Sequence, residues 1–383
     1  MRVLAVEPFY GGSHKAFLDS IASHSQHDWT LLTGPARHWK WRMRNAPLDL
    51  AQELFRKTAD RVDGFDQPFD AVFCTDMLDL PQWRGFLCRS AGLGHTKSKN
   101  PVATEIAGLP TIVYFHENQW TYPQSPHARE DAHYGYTNLL TALSGDAVWF
   151  NSDFHRAQFL NAAREFVAKM PDGQTTHDLE SLSNKSRTIV PGFSQVGMSD
   201  RKNEQGPLRI GWVGRWEYDK RPDQFLELLR ATSRRQIAFE LVLLGPRTQR
   251  PGGPLAEIQS EFSEKIRFDG FADSREQYVR RLREMDVVVS TAEHEFFGIA
   301  ILEAISAGAI PVLPNRLSYP ELVDQRFLYE TASDAVDALQ HWSNCPDCMQ
   351  VAEDCARRID RFETRRIVEQ VDLGIAECID SLT

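Results

Sequence analysis

The chain alternates short apolar runs with stretches whose apolar residues recur at helical spacing. It opens with "RVLAVEPF", then "YGGSH", then "KAFLDSIA", which predicts a strand, a tight loop and a helix. Gly11 and Gly12 let the backbone approach a ligand closely, and Ser13 stands where a helix N-cap is expected. "FDAVFCTD", "LPTIVYFHEN" and "GDAVWFNSD" are further apolar runs that end in polar residues, the pattern of buried parallel strands with polar carboxyl ends. From "PLRIGWVGR" the same grammar returns: helical "RPDQFLELLRAT", strands "AFELVLLG" and "IRFDGF", helical "SREQYVRRLREM", strand "DVVVSTA", helical "GIAILEAISAG" and strand "AIPVLP". The alternation predicts an α/β protein of two Rossmann-like parallel-sheet domains, with ligands between them at the carboxyl ends of the strands.

The join is expected near "KNEQGPLR", residues 202 to 209, where Gly206 and Pro207 interrupt the apolar periodicity. That gives domains over residues 1–202 and 203–360, with a helical segment over 361–383 expected to pack back on the first. Arg164 to Lys185, which contains Pro171, Asp172 and Gly173, reads as a polar loop or insertion. Hydrophobic content of 42% and charged content of 25% suit a soluble globular protein. The first apolar run is broken by Glu7 and Pro8 and has no secretory cleavage pattern. No run reaches the roughly 18 apolar residues of a membrane span, so the expected location is cytoplasmic.

Charge divides unevenly. The net charge is −10, yet residues 1 to 195 hold 19 Lys+Arg against 21 Asp+Glu and ten of the twelve histidines, so most of the acidity falls in the second half. Such an average excludes indiscriminate coating of nucleic acid and permits a local basic groove. Six cysteines do not make a disulfide framework in a chain this long. Cys345 and Cys348 form one CxxC with Cys355 nearby, but no histidine or second CxxC follows at zinc spacing, so reduced thiols are expected.

The chemistry concentrates in "EHEFFGIAILEAISAGAIPVLPN". Glu295 and Glu303 would stand roughly 80° apart on a continuous helix, so they need not share a face. Glu295 is better placed in the loop, with the helix starting near Gly298 and offering free N–H groups to a phosphate. Glu303, among Ile301, Leu302 and Ile305, needs a polar partner such as sugar hydroxyls; alone it would read as a solvated helix carboxylate. In "VGRWEYDKRPD", Arg215 and Lys220 follow the second half's first strand, where two cations can meet a diphosphate. In the first half, "IVYFHENQWTYP" sets His116, Glu117, Asn118 and Gln119 at a strand end. His116 can stabilise charge or orient a hydroxyl there, or it is a loop histidine bonded to backbone. Trp120 breaks any HExxH, which excludes a zinc protease on spacing.

Residues 208 to about 320 resemble the retaining GT-B glycosyltransferases of the glycogen-synthase-like superfamily, whose second domain carries a Glu, seven residues, then Glu. The resemblance implies that Arg215 and Lys220 hold a nucleotide diphosphate and Glu303 the ribose. Glu295 and the backbone at Phe297, Gly298 and Ile299 would hold the donor sugar and phosphates, and "RFDGF", residues 267 to 271, would lie near the base. It also favours a catalytic His116 facing the donor sugar. Over most of the chain, "EPFYGGSHK", "ARHWKWRMR", "FHENQWTYP", "YGYTNLLTAL", "FNSDFH" and "LSYPEL" resemble the tRNA-queuosine mannosyltransferases. That likeness implies GDP-mannose as donor, with no separate cofactor and no metal. The acceptor it implies is the queuosine base in the anticodon loop of tRNA, tRNA-Asp by resemblance. Gly12 falls on the donor side of this scheme, and His14, Asn118 and Gln119 on the acceptor side.

The same resemblance gives a purpose to "PARHWKWRMRNAP", where Arg37, Lys40, Arg42 and Arg44 surround Trp39 and Trp41. Aromatic side chains stack on splayed RNA bases while Arg and Lys hold phosphates. Alternatively the tryptophans pack inward and the cations face water, or the stretch meets a phosphorylated lipid or anionic glycan. Rival functions are a GT-B enzyme acting on a lipid or polysaccharide, a nucleotide-sugar epimerase, and a non-catalytic RNA-binding protein. No pattern in the sequence sets an oligomeric state.

Overall fold

A computed structural model describes residues 1–88, 101–122, 131–172, 176–198, 206–246 and 252–382. The chain divides into two compact units, Met1–Pro191 with Thr364–Thr383, and Gly192–Glu363. The first unit begins β1 (Arg2–Tyr10), α1 (Gly12–His24), β2 (Asp28–Pro35) and α2 (Trp39–Ala59). It continues β3 (Ala71–Thr75), α3 (Leu80–Cys88), α4 (Pro101–Ala107), β4 (Thr111–Phe115) and α5 (Ala132–Ser144), and then β5 (Ala147–Phe150), α6 (Asp153–Ala168), α7 (Thr176–Asn184) and β6 (Ser186–Thr188). Its six strands are parallel in the order β2-β1-β3-β4-β5-β6. Successive residues of β1 face opposite sides: Leu4 and Val6 join the core under α2, α3, α5 and α6, while Val3 and Ala5 pack with Phe17 and Ile21 of α1. Both faces are therefore covered, which is why the central strands read as unbroken apolar runs.

The second unit runs β7 (Leu208–Val213), α8 (Pro222–Arg234), β8 (Phe239–Leu244), α9 (Pro254–Glu261), β9 (Ile266–Gly270), α10 (Arg275–Arg283) and β10 (Val287–Val289). It ends with α11 (Ile299–Ser306), β11 (Ile310–Pro314), α12 (Tyr319–Leu322), β12 (Leu328–Tyr329), α13 (Ala332–Ser343) and α14 (Cys348–Ile359). Its order, β12-β11-β10-β7-β8-β9, places the first strand in the middle and reverses direction there, the doubly wound Rossmann order. The last helix, α15 (Thr364–Asp380), belongs to the first unit, where Ile367, Val368, Val371 and Ile375 pack with Phe17, Tyr114 and Trp149. Its buried Asp372 accepts from the backbone N–H of Gln26, at the end of α1.

Three local expectations change. Residues 164–185 are not a loop where described: α6 reaches Ala168 and α7 spans Thr176–Asn184, because Phe159, Leu160, Ala163 and Val167, then Leu179 and Leu182, bury one face of each helix beneath a polar exterior. Gly173 lies outside the described residues. Ser13 does not cap α1; Gly11 occupies the N-cap position and no side chain caps the helix. The units part at Pro191 and Gly192, not at 202 and 203, with 202–205 of the expected join outside the described residues. Phe193 bridges to Glu363, Val196 donates its N–H to Ser306, and Arg283 donates to the carbonyls of Val196 and Gly197. Such backbone anchoring of an extended segment leaves no trace in apolar periodicity.

Candidate active site and nucleic-acid interface

In the second unit the site residues gather where the strand order reverses, past the ends of β7 and β10, the position at which doubly wound sheets hold ligands. Lys220 closes a short 3-10 turn, Tyr218–Lys220. Three acceptors surround its Nζ: the carbonyl of His294 at 2.7 Å, Oε2 of Glu295 at 3.0 Å and Oδ2 of buried Asp219 at 3.4 Å. Burial would raise the Glu295 carboxyl, but the Lys220 charge and hydrogen bond, helped by His294 and the Phe297 N–H, hold it below the usual carboxylate value. His294 is pushed down to about 4 by burial and by Lys220, so its imidazole is neutral at pH 7. Arg215 pairs with Glu217 at 3.2 Å and remains about half exposed.

Glu295 stands in the loop, and α11 begins one residue after Gly298, as the spacing predicts. Gly298 has φ +97°, a left-handed conformation that L side chains adopt only with strain, and no side chain caps the helix start. Phe297 is buried edge-on against Phe362, and its carbonyl accepts from Ser318. Its neighbour Ile299 is the first residue of α11. On the same helix Glu303 is held by protein partners: Tyr278 donates its hydroxyl at 2.8 Å and Arg275 pairs at 2.7 Å. Phe271, after β9, is 68% exposed.

The first unit brings a different set together. At the carboxyl end of β1 buried Glu7 meets Nδ1 of His14 at 3.0 Å, and the His14 ring lies on the His116 ring with centroids 4.0 Å apart. Asp76, after β3, accepts the His116 backbone N–H at 2.9 Å. Burial depresses His14, but the Glu7 carboxylate and its hydrogen bond, with Asp76 and Glu117, raise it to about 9. Asp76 is raised to about 8, chiefly by burial, against the opposing His14 charge. His116 falls well below the usual imidazole value through burial and the charges of His14 and His155. Glu7, His14 and His116 offer three ligand atoms within 4.8 Å, the one such group among the described residues. His14 Nδ1 is already bonded to Glu7, and the two imidazoles overlap with a tilt of 35°.

Gly12 starts α1 with φ +54°, and a Cβ there would meet nothing, so backbone conformation rather than crowding favours glycine. Asn118, expected on the acceptor side, is engaged within its own loop. It is fully buried, its Oδ1 accepts the N–H groups of Trp120 and Thr121, and its Nδ2 donates to Thr121, so it builds its own turn. Gln119 is buried too, its N–H bonded to Asn138 and its side chain donating to Glu117 at 3.1 Å.

The basic stretch forms the first turns of α2, whose face Met43, Ala46, Pro47, Leu50, Ala51 and Leu54 enters the core. Lys40 and Arg44, four apart, stand on the same face and reach one ring: Nζ of Lys40 is 5.8 Å and the Arg44 guanidinium 4.7 Å from the centroid of Tyr134. Trp39 meets Tyr134 edge-on at 5.3 Å and Trp41 is 57% exposed. Neither tryptophan is buried: Trp41 stands on the side of α2 opposite Met43, and Trp39, one turn before Met43, lies at the first residue of the helix with 37% exposure. Arg37 is exposed, whereas Arg42 turns inward to Asp49 at 3.4 Å and its side chain is only 13% exposed. Among the described residues no helix is long and apolar enough to cross a membrane, and all six cysteines are free thiols.

Six residues of these clusters, Glu7, Asp76, Tyr134, Asp219, Arg275 and Tyr278, do not stand out in the sequence as site residues. Glu7 and Asp76 carry a signal, a carboxylate closing an apolar strand run; Tyr134 lies about ninety residues from its partners and carries none.

Comparison with solved structures finds the same fold in a UDP complex of Anabaena Alr3699/HepE, with TM-score 0.66 at 16% identity over 98% of this chain and 100% of that one. The N-terminal domain of Candida albicans trehalose-6-phosphate phosphatase gives TM-score 0.68 at 10% identity over 98% and 97%. Residues 198–359 match the family model for glycosyl transferases group 1. The two doubly wound units and this match define a glycosyltransferase of the GT-B class. Residues 2–98 and 99–193 match the model for the tRNA-queuosine alpha-mannosyltransferase N-terminal region. A tRNA-queuosine alpha-mannosyltransferase of Drosophila melanogaster is 30% identical over 380 residues, covering 96% of this chain and 94% of the relative. A GDP-mannose:cellobiosyl-diphosphopolyprenol alpha-mannosyltransferase of Xanthomonas campestris is 24% identical, covering 85% and 90%. The chain belongs to the tRNA-queuosine alpha-mannosyltransferase family.

Proposed function

We propose that this glycosyltransferase moves mannose from GDP-mannose to a hydroxyl of the queuosine base in a tRNA anticodon loop, in the cytoplasm, with retention of anomeric configuration. The observation that carries the acceptor reading is the surface of Trp39, Lys40, Arg44 and Tyr134 within the family-specific first unit. Exposed rings interleaved with cations suit a single-stranded loop, whose bases stack while its phosphates are neutralised. Cations and exposed tryptophans would also suit a phosphorylated lipid, and the match of the first unit to the tRNA-queuosine alpha-mannosyltransferase N-terminal model favours RNA.

Departure of the nucleoside diphosphate leaves an anion, so catalysis depends on charge placed in advance. Lys220 and Arg215 supply it, and the uncapped N–H groups at the start of α11 add the positive end of a helix dipole. Glu295 orients Lys220 and is available to the sugar hydroxyls, while Glu303, steadied by Tyr278 and Arg275, receives the ribose. The chemistry draws on no metal and no separate cofactor. The test is to incubate the protein with queuosine-containing tRNA and several nucleotide sugars, then weigh the digested nucleosides. A queuosine heavier by one hexose, formed with GDP-mannose and not with UDP-sugars, is expected; unmodified queuosine in every reaction would refute the reading.

A further inference from the structure

The first unit holds a group of ionisable side chains that donor binding does not explain. Glu7 projects from β1, His14 from α1, Asp76 follows β3, Glu117 follows β4 and His155 comes from α6, all directed at the surroundings of His116. Phe17 and Tyr114 close the remaining sides of that ring, with centroids at 5.1 Å and 4.8 Å. Within this apolar packing Nε2 of His116 and Oδ2 of Asp76 are buried without a hydrogen-bond partner among the described residues. A buried polar atom left so is costly unless something else satisfies it, and a ligand hydroxyl is one such partner.

We propose that Glu7 and His14 are positioning residues for His116: their buried ion pair lays a fixed cation on the face of the His116 ring, which keeps that ring uncharged and its Nε2 available to a substrate hydroxyl. A cation 4.0 Å from an imidazole opposes protonation of that imidazole, and a low-dielectric setting strengthens the effect. Glu7 also accepts the N–H of Phe9 at 2.7 Å, so the carboxylate that charges His14 is itself tied to the β1 end. His14 thus acts through His116 and need not touch the substrate.

The closing experiment uses the full chain labelled with 15N-histidine, following imidazole resonances from pH 5 to pH 10, with His14→Gln and His116→Gln providing assignments. In the wild type His14 is expected to stay charged past neutrality and His116 to stay neutral through the acid range. Glu7→Gln keeps the shape and can still accept from Phe9. It should discharge His14 at neutral pH and move the His116 midpoint up by about one pH unit or more. His14→Gln should move it in the same direction. A His116 midpoint that is unmoved in both variants, or a neutral His14 in the wild type at pH 7, overturns the proposal. So does stoichiometric divalent metal in the purified wild type that His14→Gln loses, since the cluster would then be a chelate. The activity readout rests on the mannosyl-transfer reading: the acid limb of kcat/KM should rise with the His116 midpoint. If no nucleotide sugar and tRNA give product, that reading fails while the resonances still decide this one.

Discussion

The two units treat charge in opposite ways. In the second, the cations of the site stand beside carboxylates: Lys220 by Glu295 and Asp219, Arg215 by Glu217, and Arg275 by Glu303, which also accepts from Tyr278. In the first, the charge of the cluster is buried in one pair, Glu7 with His14, beside His116 Nε2 and Asp76 Oδ2, which have no hydrogen-bond partner among the described residues. A site whose ligand is a polyanion benefits from cations held ready by carboxylates that keep their positions without enclosing them. One whose ligand presents neutral hydroxyls benefits from uncharged acceptors in a dry pocket. On the proposed reading, the setting in the first unit suits the acceptor hydroxyl and that in the second the nucleoside diphosphate.

The largest test of this contrast lies in the second unit. Lys220→Ala removes the ammonium that Glu295 and Asp219 both approach, and Glu295→Gln removes the carboxylate while keeping its shape. Each is expected to lower transfer by ~10² or more, the scale set by loss of one prepositioned charge-stabilising group. Single-turnover rates at saturating donor check it; wild-type rates in both would dissolve the assignment. Smaller is the effect of Tyr134→Ala, which should weaken tRNA binding by roughly 5- to 100-fold, as loss of one stacking platform does. GDP-mannose affinity should stay near wild type, and filter binding against tRNA together with donor titration separates the two.

Next comes a pH dependence that belongs to the first unit alone. His14 has its imidazole raised from 6.5 to about 9, so the stability it contributes is complete below about pH 6.5 and fades as pH climbs through 9. Asp76 is raised from 3.8 to about 8, which favours its protonated form in the folded state. Its effect is a loss of stability between those two values, with no further change above. Thermal melting should therefore fall steadily from pH 6.5 to 9, and above pH 8 the remaining slope belongs to His14. His14→Gln is expected to flatten that upper segment, whatever it does to the absolute melting temperature. A wild-type curve level from pH 7 to 9 would contradict the buried ion pair.

These contrasts mark what the sequence can and cannot reveal. The alternation of apolar runs and helical stretches locates the central strands because they are buried on both faces. It is silent about β2, β6 and β12, edge strands that are short or half-polar. Glu295 in a loop and α11 starting after Gly298 are readable, since the glycine and the apolar period fall within one short stretch. The Glu7–His14 contact spans only seven residues, yet it depends on α1 turning back over the end of β1, which local spacing does not encode. The alternation of Trp39 and Trp41 suggests a strand period with both on one side, but the segment is helical, so the two diverge and Trp41 points away from the buried face. Asn118 lies in the right loop, but only the three-dimensional turn shows that its amide is used within it.

The smallest expected effect sharpens the interface itself. Arg37, Lys40 and Arg44 are exposed, and the last two converge on Tyr134, whereas Arg42 points along α2 to Asp49. If phosphate binding follows exposure rather than composition, replacing Lys40 and Arg44 by Gln should reduce the slope of log affinity against log salt by about one for each phosphate that is no longer neutralised. Arg42→Gln should leave the slope unchanged. Its cost should instead appear in stability and be modest, about 1 kcal/mol or less, because Asp49 is itself nearly half exposed and its pairing is screened by water. Equal changes in slope for Arg42→Gln and Arg44→Gln would mean that Arg42 leaves Asp49 when RNA arrives, and the division of this patch into RNA-binding and scaffold residues would have to be redrawn.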